Sequence, residues 1–146
     1  MSVYNGEDYL TEAIDSVINQ SFTEWELIVI NDCSTDSTSE ILGKYAAQDE
    51  RIKVYTNEVN LRLPSSLNKA MSYAKGKYIA RMDADDICLP ERLEKQYNYM
   101  EENSDIALSS CRFMTLKNGV ISFFLVINSQ IITPIDCVCY PHILLI

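Results

Sequence analysis

Trp25-Glu26-Leu27-Ile28-Val29-Ile30-Asn31-Asp32 is the stretch on which the fold of this 146-residue chain turns. Its first six residues are apolar except for Glu26, and Ile28, Val29 and Ile30 are β-branched. A parallel strand covered on both faces reads this way, and the run stops abruptly at two polar residues. Upstream, Leu10, Ile14, Val17 and Ile18 fall at i, i+4, i+7 and i+8, the stripe of an amphipathic helix. Glu7 and Asp8 are expected in that helix's first turn, where the helix dipole favours acids. Downstream, Asp36 or Ser37 can cap a second helix with Ile41, Leu42 and Tyr45 on its apolar face. Ile52 to Tyr55 reads as a short strand.

The alternation continues. Pro64 suits the first turn of a third helix whose stripe is Leu67, Met71 and Ala74, with Gly76 in the C′ position. Lys77 to Met82 is another strand, running into Asp83-Ala84-Asp85-Asp86, and Pro90 opens a fourth helix carrying Leu93, Tyr97 and Met100. Helices alternating with strands predict the α/β class: a Rossmann-like, mostly parallel sheet with helices on both faces. After Asn103 the character changes. Ile106 to Phe113 and Val120 to Leu125 read as two strands, with the tight hairpin signal Asn118-Gly119 between them. No repeat or linker interrupts residues 1–146, so a single domain is expected. A doubly wound sheet opens on a buried strand, yet only Met1-Ser2-Val3 precede the first helix, and His142 to Ile146 end the chain apolar. Both ends read as cut.

Apolar residues make up 47% of the chain and charged residues 23%, close to the average for a soluble globular protein. Twelve Lys and Arg against 21 Asp and Glu leave a net charge of −9. That balance argues against nucleic-acid and membrane-surface binding, which need a basic stripe. A single histidine, His142, leaves little for triad or His-based metal chemistry. Five cysteines form no C-x-x-C pair and read as reduced thiols of a cytosolic protein. Val120 to Ile135 is too short, and too polar at Asn128-Ser129-Gln130, to span a bilayer.

Ligands of open α/β sheets bind beyond the carboxyl ends of the strands. The polar residues expected there are Tyr4-Asn5, Asn31-Asp32 and the run Asp83 to Asp86. Carboxylates this close repel one another unless a cation or hydrogen-bond donors sit among them. Their hard oxygens suit Mg²⁺ or Mn²⁺, which are commonly held by one or two carboxylates plus substrate phosphates. The same acids could instead solvate a loop and cap the helix near Pro90. Asp32-Cys33-Ser34-Thr35-Asp36 equally suits a turn that caps the second helix, and Arg62 a solvated loop charge.

Taken in order, these segments resemble the family 2 glycosyltransferases of GT-A fold. The resemblance rests on Tyr4-Asn5-Gly6, Asn19-Gln20-Ser21-Phe22, Glu26 to Asp32, Ser34-Thr35-Asp36, Asn60-Leu61, Leu67-Asn68, Gly76 to Asp86 and Pro90-Glu91-Arg92-Leu93. It runs from Ser2 to about Phe113, with an incomplete acceptor half starting at residues 114–146. It implies inverting transfer of a sugar from a nucleotide-diphosphate donor, commonly a UDP-sugar, to a hydroxyl of a glycan or lipid-linked acceptor. Such enzymes build surface polysaccharide, lipopolysaccharide or cell-wall glycans in the cytoplasm, at the inner face of the membrane, with peripheral membrane association through regions outside this chain.

Carried over by position, the resemblance implies that Tyr4 stacks on the base and Asp32 accepts the uracil N3–H. It further implies that Asp83 contacts the ribose and Asp85 ligates a Mg²⁺ or Mn²⁺ bridging the diphosphate. Arg62 falls where some relatives keep an arginine near the nucleotide, and where others carry Gly. Asn31 and Cys33 depart from the family's pattern of two acidic residues followed by Gly, and Cys33 puts a β-carbon where a positive φ is wanted. The family's general base is expected beyond Ile146. The alternative is a catalytically silent nucleotide-binding fragment. A nucleotidyltransferase ranks last, because Tyr4 to Asp8 offer no Gly-rich basic loop for a triphosphate.

Overall fold

The run beginning at Trp25 forms strand β2 (Trp25–Asn31), and β2 organises the main sheet. The computed structural model describes residues 1–109, 113–117, 120–124 and 143–145, so the hairpin signal Asn118-Gly119 and the tail around His142 lie outside the described residues. On one edge of β2 runs β3 (Ile52–Thr56), parallel and in register from Leu27↔Ile52 to Asn31↔Thr56. The other edge is shared end to end by two short strands. The carboxyl half of β2 pairs with β1 (Ser2–Val3), and Trp25–Leu27 pair with β7 (Ile143–Leu145), both parallel. Strand β4 (Tyr78–Ala80) then pairs in parallel with β7. The opening strand is therefore present, but only as two residues, and β7 continues the edge that β1 leaves short.

Helices α1 (Leu10–Ile18), α2 (Thr38–Gln48) and α4 (Arg92–Glu102) contribute to one core with Leu27 and Val29 of β2. Helix α3 (Arg62–Ser72) packs on the opposite face against Ile28 and Ile30. The two-residue alternation of a strand divides the β2 side chains between these layers, so the continuous apolar run is explained by burial on both sides. The α1 stripe falls as expected, with Leu10, Ala13, Ile14 and Val17 buried. Glu7 and Asp8, however, precede the helix. Glu7 instead accepts a hydrogen bond from the Ser37 N–H at 2.9 Å.

The α3 stripe holds in part: Leu67 and Ala74 pack against the cluster of Ile28, Ile30 and Ala70, whereas Met71 is a correction. Ser66 and Ala70 are its buried residues, while Met71 is 43% exposed and Ala74 lies past the helix end. Small side chains let α3 approach the sheet closely, and apolarity does not mark them. The helix ends with Tyr73 as its cap, so Gly76 is not the C′ residue. Helix α4 starts two residues after Pro90. The expected strand from Ile106 is absent over 106–109; strand β5 begins at Phe113 and runs to Lys117, and pairs antiparallel with β6 (Val120–Phe124). Among the described residues no helix is long and apolar enough to cross a membrane.

Candidate functional site

Because β1, β2, β3 and β4 all run parallel through the same sheet, their carboxyl ends point to one edge. Four loops meet there: Tyr4–Gly6 after β1, Asp32–Asp36 after β2, Asn57–Leu61 after β3, and Arg81–Cys88 after β4. The first two are knitted together. The Asn5 N–H donates to Ser34 Oγ at 3.0 Å, the Gly6 N–H to Thr38 Oγ1 at 2.9 Å, and the Thr35 N–H to Asn5 Oδ1 at 2.8 Å. A β-carbon at Gly6 would stand 2.5 Å from Val3 Cγ2, so the turn accepts only glycine without a shift. Asp36 Oδ1 accepts the Thr38 N–H at 3.0 Å, so Asp36 rather than Ser37 satisfies the start of α2. Burial acts to raise the Asp36 carboxyl, but the Thr38 hydroxyl and N–H, with the Glu7 N–H that donates to Asp36 Oδ2 at 3.1 Å, outweigh it and hold the group below the ordinary carboxylate range.

Tyr4 is 53% exposed at the head of this edge. Asp32 is 2% exposed. Its Oδ1 accepts from Asn57 Nδ2 at 2.7 Å and from the Leu61 N–H at 2.8 Å. Asn57 also donates to Ser66 Oγ and accepts from Lys69 Nζ at 2.7 Å. Burial acts to raise the Asp32 carboxyl, but donors from Asn57, Leu61, Ser66 and Arg62 outweigh it and hold the group in its charged form. Asp32 thus anchors the loop after β3; its four donors already match the about four acceptor positions of a carboxylate, so a ligand N–H would share or replace one of them. Asn57, Ser66 and Lys69 were missed in the sequence because they lie 25 or more residues from Asp32 and form no local pattern.

Three non-glycine residues take positive φ among the described residues: Asn5 at 51°, Cys33 at 65° and Arg62 at 66°. All three lie at this edge, and strained backbone gathers at functional sites. The positive φ wanted at Cys33 is present. Arg62 begins α3, and its N–H donates to Asn60 Oδ1 at 3.0 Å. Its side chain is not drawn into the contacts around Asp32, unlike its backbone.

The acidic loop stays open. Asp85 and Asp86 are exposed and Asp83 half-buried. Arg81 Nη2 donates to both carboxylate oxygens of Asp83 at 2.9 Å. Partial burial, then the charges of Asp83 and Asp85, push the Asp86 carboxyl up, with Arg92 opposing them. Among the described residues no cluster of three or more His, Cys, Asp or Glu side chains could hold a metal by protein ligands alone. An exposed hard-oxygen donor such as Asp85, in a loop with excess negative charge, does fit a Mg²⁺ or Mn²⁺ that keeps most of its ligands from water and phosphate.

A parallel α/β sheet with an exposed tyrosine, a buried aspartate and an acidic loop at its carboxyl edge defines a Rossmann-like α/β domain, whose carboxyl edge is where ligands of such sheets bind. The chain belongs to glycosyl transferase family 2, whose model matches residues 1–123. EpsE of Bacillus subtilis strain 168, named as a glycosyltransferase, is 48% identical over 104 residues, covering 70% of this chain and 37% of that protein. WbnJ of Escherichia coli, an O-antigen biosynthesis glycosyltransferase, is 42% identical over 106 residues, covering 70% of this chain and 41% of that protein. The crystal structure of S. aureus TarS 1-349 in complex with UDP superposes with a TM-score of 0.66 at 34% identity, covering 70% of this chain and 31% of that one. The chain therefore spans 31–41% of the length of these proteins.

Proposed function

We propose that this chain forms the donor-binding portion of an inverting glycosyltransferase that takes a UDP-sugar and serves the assembly of a surface glycan. The observation that carries the reading is the gathering of Tyr4, Asp32 and the Asp83–Asp86 loop at one sheet edge. The likeness to a UDP-bound TarS structure supports the nucleotide, and a relative named for O-antigen biosynthesis supports the glycan. Tyr4 offers its ring to the base, and Asp32, charged and fixed by Asn57 and Leu61, accepts the uracil N3–H. Asp83 faces the ribose, with Arg81 holding its carboxylate in place. Asp85 holds a Mg²⁺ or Mn²⁺. The chemistry supplied by that ion is neutralisation of the departing diphosphate. Direct displacement at the anomeric carbon also needs a carboxylate base for the acceptor hydroxyl, which this reading assigns to no residue of 1–146. The donor is taken on the cytoplasmic side of the membrane, as the family resemblance implies.

The test is a thermal-shift titration with UDP, with and without Mn²⁺, on the parent chain and on Asp85→Ala. Ligand at about 100 times Kd stabilises by roughly 2.7 kcal/mol, a visible shift. The expected result is a Mn²⁺-dependent shift that Asp85→Ala loses. A cooperative melt that UDP does not move would overturn the donor reading and leave a silent remnant of the fold.

A further inference from the structure

The loop carrying Asp83, Asp85 and Asp86 leaves β4 at Arg81 and returns to the core at Cys88. Inside it the described structure offers one long backbone bond, from the Asp86 N–H to the Asp83 carbonyl at 3.3 Å. Side chains add the Arg81–Asp83 pair and a 3.1 Å contact of Cys88 Sγ with the buried Met82 Sδ, both near the loop's ends, and leave Asp85 and Asp86 exposed. Those two ends are held from outside.

The returning end is fastened to the last turn of α1 and to the residues just after it. Ser16 Oγ accepts the Cys88 N–H at 3.0 Å, Gln20 Nε2 donates to the Leu89 carbonyl at 2.8 Å, and the Ser21 N–H donates to the Pro90 carbonyl at 2.8 Å. Gln20 Oε1 also accepts the Leu93 N–H at 3.0 Å, so the anchor extends into α4. The departing end is tied to the returning end by Arg92. Its Nη2 donates to the Arg81 carbonyl at 2.8 Å, and its Nη1 lies 3.0 Å from Cys88 Sγ. Nε donates to Gln96 Oε1 at 3.1 Å, which fixes the guanidinium plane on the helix. A cation in the first turn of a helix is disfavoured by the dipole, and the i,i+4 bond to Gln96 sets only a small gain against that within α4. A planar fork reaching two points at once is what lysine lacks.

We propose that Arg92 is a positioning residue for the acidic loop, holding the Arg81 carbonyl and the Cys88 thiol at a fixed separation so that Asp85 is presented to the metal in one arrangement. This rests on the donor reading and deepens it. In this proposal the effect of Arg92 passes through the loop it holds. Outer partners of metal ligands change metal affinity by about 10–100-fold when removed.

The experiment measures UDP affinity calorimetrically across a Mn²⁺ series for the parent chain, Arg92→Lys and Arg92→Met. Amide hydrogen exchange at Asp86 and Cys88 in the unliganded proteins is followed in parallel. In Arg92→Lys, UDP affinity at saturating Mn²⁺ falls about tenfold or more, affinity without metal stays at the parent value, and exchange at Asp86 quickens. Arg92→Met shows the same split, with a larger loss. A purely structural role would lower metal-free and metal-dependent affinity together, and that result overturns the proposal. Parent-like Mn²⁺ dependence in both variants overturns it too, with the donor reading intact. A parent chain that binds UDP without any Mn²⁺ dependence overturns the metal reading and the positioning role at once.

Discussion

Cys33 holds φ at 65° in the left-handed region, where an L side chain costs roughly 1–2 kcal/mol. The strain is imposed by its neighbours: the Asp32 N–H bonds the Val3 carbonyl on one side, and the Ser34 N–H bonds Asn31 Oδ1 on the other. Cys33→Gly removes the β-carbon, offset by roughly 0.5–1 kcal/mol of extra unfolded-state entropy. The expected net gain is about 0.5–1 kcal/mol, read as a raised urea midpoint at unchanged slope. A lower midpoint would show that the thiol, which lies 3.5 Å from the Glu58 carbonyl, contributes more than the strain costs. The need for positive φ at this position was legible only through the family resemblance, which implies glycine where Cys33 stands. The network from Asp32 through Asn57 to Ser66 and Lys69 was not. Its members pair across turns whose geometry no spacing encodes.

At the scale of elements, apolar periodicity located α1, α2 and the core strands, because burial on a regular element leaves a regular trace. It misplaced the buried face of α3, where Ser66 and Ala70 rather than Met71 meet the sheet. The role of β7 had no sequence signal either, since a parallel strand paired across more than a hundred residues leaves no local pattern. Yet β7 is what joins β4, and the acidic loop that follows it, to β2. Deleting residues 143–146 should leave Trp25–Leu27 and β4 with unpaired backbone edges, which template association. The expected outcome is a lower melting temperature and concentration-dependent oligomers in sedimentation velocity. A truncated chain that stays monomeric with the parent melting temperature would show that β4 holds its place without β7.

For the whole molecule, the summed titration of buried groups sets how stability varies with pH. Asp49 is held below the ordinary carboxylate range by its hydrogen bonds to Arg51, and Asp32 and Asp36 are held down by backbone and side-chain donors. Carboxyls depressed on folding contribute stability above their unfolded pKa of about 4, and that stability is lost as pH falls through their lower folded values. Asp86, pushed up by burial and its acidic neighbours, opposes this trend just above the same range. Urea unfolding at half-unit steps from about pH 2.5 to 7 should therefore show stability falling as pH drops below about 4 and nearly level above about pH 5, because below about 4 the unfolded chain binds protons on these carboxylates that the folded chain does not. Asp49→Asn, which removes one of the depressed carboxyls, should make the acid limb shallower. An acid limb of the same steepness in parent and variant would mean that Asp49 titrates alike in the folded and unfolded chain.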